Sequence, residues 1–248
     1  MDTVELAVDD GLALVWLNRP DRLNAVIPAL VDDLLATLRQ IRDDEGIRTV
    51  VLAGRGRAFC AGHDLKEPTP DGDSRPRLER LQEVTRLLRA LPQPTIAAVH
   101  GYAIGAGAEF ALGCDLVIAA DDSVFQFPEA GLGLSVTGAA SRLLPLTVGP
   151  LKAKELLLLG DRSYAAKARE LGLVNTVVPR DDLLEHALDW AGRIAKQPAA
   201  ANTLAKRAID HGIDANLEAA LELEVSHALI TDNSPEAGAS AENFRERR

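Results

Sequence analysis

An α/β fold with a helical C-terminal region is what the 248-residue sequence predicts, and three observations predict it. Apolar runs of strand length alternate with helical stripes as far as residue 180. Two of the strands lead directly into glycine-bearing loops. From Asp181 onward strand alternation gives way to Ala- and Leu-rich helical stretches. The expected division is a core over 1–180 and a helical region over 181–248.

The elements follow in order. Val4, Leu6 and Val8 alternate with polar residues, Asp9-Asp10-Gly11 forms a turn, and Leu12–Leu17 returns as an apolar run, which is a β-hairpin pattern. Ile27, Leu30, Val31, Leu34, Leu35, Leu38 and Ile41 recur at helical spacing before the short strand Val50–Ala53. Lys66–Arg77 collects three prolines, a glycine and several charges and is expected to be a polar loop. Leu78–Leu91 rebuilds a helical stripe that Pro92 and Pro94 terminate, and strands are expected at Thr95–Val99 and Leu116–Ala120. Lys152–Leu159 is expected to be a helix stopped by Gly160. A further helix is expected from Ser163, as N-cap, to Gly172, and Val174–Val178 is the last strand. Helices are expected around Leu183–Ile194, Ala199–His211 and Leu217–Ile230. Val50–Gly62 and Ile96–Gly107 share a strand-to-glycine-loop plan without enough identity to be sequence repeats.

Bulk properties exclude several functional classes. The chain is 47% apolar with a net charge of −10, so a polyanionic ligand needs a local basic patch and a general nucleic-acid-binding surface is not expected. No stretch approaches the roughly 20 uninterrupted apolar residues of a membrane span, and Met1–Glu5 lacks the pattern of a signal peptide. The expected location is cytoplasmic. Cys60 and Cys114 have neither zinc nor disulfide-framework spacing, so no metal is expected.

Two segments carry the chemistry. Ala58–Leu65 and Gly101–Glu109 each follow a strand with small residues, and the turn at Gly105-Ala106-Gly107 opens a helix whose first N–H groups lack internal acceptors. Such a turn can receive an oxyanion, and the same glycines can serve simply for close packing. Dinucleotide, phosphate-loop and serine-hydrolase readings fail on spacing: Gly101, Gly105 and Gly107 do not match GxGxxG, no Gly-Lys-Ser/Thr follows a glycine loop, and Gly133–Thr137 breaks GxSxG. Glu109 and Glu129 each sit in apolar, glycine-bounded surroundings, where desolvation raises a carboxyl pKa toward the operating pH.

Together these residues resemble the crotonase, or enoyl-CoA hydratase/isomerase, superfamily over nearly the whole chain. Ala58–Leu65 resembles its first oxyanion segment and Gly101–Glu109 its second. Asn18-Arg19-Pro20 with Leu23-Asn24-Ala25, Phe127-Pro128-Glu129, and Gly172–Asn175 followed by Val177-Val178-Pro179 match further landmarks. The resemblance implies a spiral of repeated β-β-α units with a C-terminal helical trimerisation region, and a homotrimer or dimer of trimers. It also implies hydration of a trans-2-enoyl-CoA to a 3-hydroxyacyl-CoA. The backbone N–H groups of His63 and Ala106 then hold a thioester enolate, and Glu109 and Glu129, 20 residues apart, form the acid–base pair. Coenzyme A enters as part of the substrate and no separate cofactor is implied.

By the same resemblance Ala61, Asp64, Leu65, Lys66 and Gly105 lie along the ligand and Arg22 near its phosphates, with Arg19, Arg55 and Arg57 completing a basic patch. Alternatives are another reaction of the superfamily, such as double-bond isomerisation, or a non-catalytic acyl-CoA-binding protein. Three features depart from the pattern. His63 stands where a small residue is usual, so its imidazole either enters the acyl pocket or stands beside it. Ser135-Val136-Thr137 replaces a Pro-Asp or Pro-Gly dipeptide. Asn243–Arg248 resembles a tail that in relatives reaches a neighbouring subunit's ligand, but Arg247 replaces its lysine.

Overall fold

The computed structural model describes residues 2–66, 73–232 and 234–236. Of the loop expected over Lys66–Arg77, residues 67–72 fall outside the described residues, as does the whole Asn243–Arg248 tail. The chain divides into two compact units, Met1–Gly192 and Arg193–Arg248.

The first unit opens with the expected hairpin, β1 (Val4–Asp9) antiparallel to β2 (Leu12–Leu17). Asp10 and Gly11 close it with φ of +44° and +75°, the two positive values that a tight hairpin turn demands. The helical stripe becomes α1 (Pro28–Asp43), which buries Leu30, Val31, Leu34, Leu35, Leu38 and Ile41. Then β3 (Thr49–Gly54), buried throughout, leads toward α2 (Arg75–Ala90). This helix starts ahead of the apolar stripe at Leu78, because Pro76 lies in its first turn, where a missing N–H breaks no helical hydrogen bond.

After α2 the chain alternates between two sheets: β4 (Thr95–Val99), β5 (Tyr102–Ile104), α3 (Ala106–Gly113), β6 (Leu116–Ala120) and β7 (Val124–Gln126). Then come α4 (Ala140–Val148), α5 (Pro150–Leu159), β8 (Ser163–Tyr164), α6 (Ala165–Glu170), β9 (Thr176–Val178) and α7 (Leu183–Ala195). The first sheet runs β1-β2-β3-β4-β6-β9, parallel except for the opening hairpin. The second runs β5-β7-β8. Cys60 joins its edge through a bridge to Ala103, so the segment after β3 takes the place that β5 takes after β4 and β7 after β6. That is the β-β-α spiral, with each turn laying a long strand in one sheet and a short one in the other.

One local expectation is corrected. Ser163 does not cap a helix. It pairs with Phe125 as strand β8, and α6 begins two residues later with no side-chain cap. The backbone of Ser163 is engaged across the sheet edge, so its side chain is not presented to a helix start. Past residue 180, α7 packs with the first unit through Leu183, Ala187 and Ala191, and the Ala191 carbonyl accepts a 3.2 Å hydrogen bond from Thr49 Oγ1.

The second unit contains α8 (Ala199–Gly212) and α9 (Leu217–Asp232), which contact each other and bury none of their residues. Among the described residues no helix is long and apolar enough to cross a membrane.

Candidate active site

The first glycine loop is held from inside by one side chain. Asn24 is fully buried, and its Nδ2 faces the carbonyls of Arg55, Ala58 and Phe59 at 2.9, 2.8 and 3.1 Å. Its Oδ1 accepts from Arg19 N–H at 2.8 Å. The loop so fixed then pairs with the stretch before α1. Val26 N–H donates to the Gly62 carbonyl at 2.8 Å, and Asp64 N–H donates to the Val26 carbonyl at 3.0 Å. In this parallel bridge the intervening His63 N–H points away from Val26, and no described residue accepts from it.

The second donor is the first N–H of α3, that of Ala106, which has no acceptor within the helix. Gly62 brings the two loops together. It has φ of +82°, and a Cβ there would stand 2.6 Å from the Ile104 carbonyl and 3.9 Å from Ala106 N. Any side chain would wedge the loops apart, so glycine is what lets the His63 and Ala106 segments lie against each other. Gly107 is the packing glycine of the trio: a Cβ would lie 2.2 Å from the Cys60 carbonyl. The packing reading of the Gly105-Ala106-Gly107 turn thus holds at Gly107.

Beside these donors lies a pocket of about 600 Å³. Ala61, His63, Leu65, Gly105, Ala106 and Glu129 of the sequence-predicted residues line it. Glu129 follows β7, and its Oε1 would be 2.7 Å from a Cβ on Gly105, which places it against the second donor loop. Its Oε2 is buried and has no hydrogen-bond partner among the described residues. Burial pushes its carboxyl above the usual carboxylate range.

Glu109, one turn into α3, is only 1% exposed. Thr137, which does line the pocket, donates to it twice: N–H to Oε1 and Oγ–H to Oε2, each at 2.6 Å. Burial raises the Glu109 carboxyl and the charge of Glu129 adds to that, while the two Thr137 donors act in the opposite sense; the net direction is upward. The pair is thus asymmetric, one carboxyl with two donors and one with a buried oxygen that has none.

Of the residues expected along the ligand, Arg22, Asp64 and Lys66 form a cluster of their own. Arg22 Nη2 contacts both oxygens of Asp64 at 2.8 and 2.9 Å, and Arg19 lies 3.3 Å from the same carboxylate. Lys66 contributes its backbone N–H to Asp64 at 3.1 Å. Burial raises the Asp64 carboxyl, but the Lys66 N–H and the two guanidiniums outweigh it and hold the group below its ordinary range. Arg22, Asp64 and Lys66 are absent from the pocket wall. Arg55 is taken up by Glu5 at 2.6 Å and by the Trp16 ring at 4.0 Å.

An enoyl-CoA hydratase/isomerase family model matches residues 7–248. The chain belongs to the enoyl-CoA hydratase/isomerase family. It is 34% identical over 242 residues to the probable enoyl-CoA hydratase echA8 of Mycobacterium tuberculosis, an alignment covering 97% of this chain and 94% of that protein. An enoyl-CoA hydratase from Bacillus anthracis superposes with a TM-score of 0.96 at 33% identity, covering 99% of this chain and 97% of the other. A monofunctional enoyl-CoA isomerase from M. smegmatis superposes with a TM-score of 0.78 at 38% identity, over 89% and 99%. Enoyl-CoA hydratase/isomerase relatives thus share the crotonase fold found here, and the family acts on acyl-CoA substrates. Both reaction types occur among the similar structures.

Sequence reasoning missed two contributors to this family site. Thr137 lay in a segment marked only as a departure, and its hydrogen bonds to Glu109 span 28 positions without a local pattern. Arg77 lay at the end of the presumed polar loop, whereas it belongs to α2 and lines the pocket.

Proposed function

We propose that this protein hydrates a trans-2-enoyl-CoA to the 3-hydroxyacyl-CoA. The observation that carries the reading is the asymmetric glutamate pair beside two neighbouring loops whose His63 and Ala106 N–H groups have no acceptor among the described residues. Carboxyls in different environments take different roles. Glu109, with two donors stabilising its charge, is the base. Glu129, with a buried Oε2 that no described donor reaches, holds the proton.

Water loses a proton to Glu109 as its oxygen bonds to the β-carbon. The α,β π-electrons move toward the thioester, whose oxygen becomes the enolate oxyanion facing the His63 and Ala106 N–H groups. Glu129 delivers its proton to the α-carbon, the enolate collapses to the thioester, and exchange with solvent resets the two carboxyls. The sequence of steps uses no metal or redox cofactor, and coenzyme A is part of the substrate.

Incubation with crotonyl-CoA tests this. Loss of the enoyl absorbance with a product heavier by one water supports hydration. A product of unchanged mass from a longer enoyl-CoA means isomerisation, to which the likeness to the M. smegmatis isomerase lends weight. Glu109→Gln and Glu129→Gln are each expected to lower kcat by roughly 10²- to 10⁴-fold. Hydration that survives Glu129→Gln at near wild-type rate sinks the paired mechanism.

A further inference from the structure

The first turns of α2 present Ser74, Arg77, Leu78 and Gln82 to the pocket, a spacing that puts them on one helical face. Arg77 is half-buried there, in a wall otherwise made mostly of Ala, Gly, Leu, Ile, Pro and Val. Among the described residues it has no ion-pair or hydrogen-bond partner. Its neighbours differ: Arg19, Arg22, Arg55, Arg75 and Arg80 each have a carboxylate. In a chain of net charge −10, an arginine facing an apolar pocket with no described acidic partner is a site for an anion brought from outside.

Its place in the fold is also defined. The guanidinium charge bears on the His63 imidazole, which lines the same pocket. Arg77 is carried by α2, whereas Ala106 opens α3 and Glu129 follows β7, so the guanidinium and the groups of the donor loops reach the pocket from different elements. Burial, and then the charge of Arg77, hold the imidazole below its ordinary pKa, so it stands there as a neutral hydrogen-bonding group.

We propose that Arg77 determines specificity by receiving a carboxylate at the far end of the acyl chain, so that the site prefers a dicarboxylic acid monothioester of coenzyme A to a plain alkyl thioester. The guanidinium offers two parallel N–H donors matched to a carboxylate, and Gln82 and Ser74 add neutral polar groups on the same helical face. An alkyl tail in the same place would strip water from the guanidinium and return nothing, which selects against it. The proposal rests on the pocket being the acyl-CoA site. The phosphates of coenzyme A are the competing source of anion, and they are common to every acyl-CoA, so a comparison of acyl chains separates the two.

The test is calorimetric binding of glutaryl-CoA and hexanoyl-CoA to the full chain. Both are saturated, so affinity is read without turnover. Glutaryl-CoA is expected to bind about 10- to 100-fold more tightly. Arg77→Met should bring the ratio of dissociation constants toward unity, and Arg77→Lys should keep part of it. Equal affinities in the wild-type protein overturn the proposal. Equal weakening of both ligands by Arg77→Met also overturns it, because the guanidinium then serves the phosphates. If neither ligand binds, the pocket assignment falls with it. A glutaryl preference in a protein that hydrates no enoyl-CoA upholds the carboxylate site and refutes hydration alone.

Discussion

In the proposed hydration, Thr137 is the residue through which the acid–base chemistry is adjusted. Its hydroxyl and its N–H both donate to Glu109, and both favour the ionised carboxylate against the burial that opposes it. Both glutamates are raised, so the acid limb of the kcat profile is expected above the ordinary carboxyl range. Thr137→Val removes only the hydroxyl donor. The charged form of Glu109 then loses stabilisation, its pKa rises further, and the acid limb moves to higher pH. Near neutral pH kcat should fall by roughly 10-fold, while Thr137→Ser restores both rate and limb. A pH profile unmoved by Thr137→Val would remove Thr137 from the mechanism. Glu109 and Glu129 could be picked from the sequence because each stands in an apolar, glycine-bounded context, and His63 and Ala106 through the family resemblance of the short segments that hold them. Thr137, Arg77 and the Arg22–Asp64 pair could not, since their meaning lies in contacts between distant segments; the Arg22–Asp64 bond alone spans 42 positions.

At the level of elements, legibility follows length. Strands of five or six residues and helices of three or more turns left periodic apolar patterns, as in β4, β6 and α1. The second sheet did not, because β5 and β7 have three residues each and β8 has two, too few to display alternation. Yet this sheet positions both donor loops: β5 leads into α3, and Cys60 bridges to Ala103 beside it. The first loop has no strand or helix of its own between β3 and α2 among the described residues, so it depends on Asn24. Asn24→Ala leaves the Arg55, Ala58 and Phe59 carbonyls without their donor, and is expected to cost about 2–3 kcal/mol of stability. Urea denaturation measures this. The same variant should lose turnover under conditions where it remains folded, since the His63 N–H is held by that loop. Full activity in folded Asn24→Ala protein would mean that β5 and the Val26 bridge suffice to fix the donor.

The scale of the whole molecule brings in the helices α8 and α9, whose sequence was legible as helix but whose purpose cannot be read from a single chain. They bury no residue, and α9 exposes Leu217, Leu221, Val225 and Leu229, four apolar positions spaced by four along one side. Covering a Leu or Val side chain is worth about 1.5–3 kcal/mol. A stripe of this kind on a folded helix is therefore a substantial unrealised stabilisation in an isolated chain. We infer self-association through α9, in keeping with the trimer or dimer of trimers that the sequence resemblance implies. Introducing two charges into the stripe, Leu221→Glu with Val225→Glu, leaves no buried contact of the single chain broken, so the helix itself should persist by circular dichroism. Sedimentation should then shift from a multiple of the chain mass toward the mass of one chain. A wild-type protein that sediments as a single chain, or a double variant that keeps its oligomeric mass, would place the association elsewhere and leave the exposed stripe of α9 to another role.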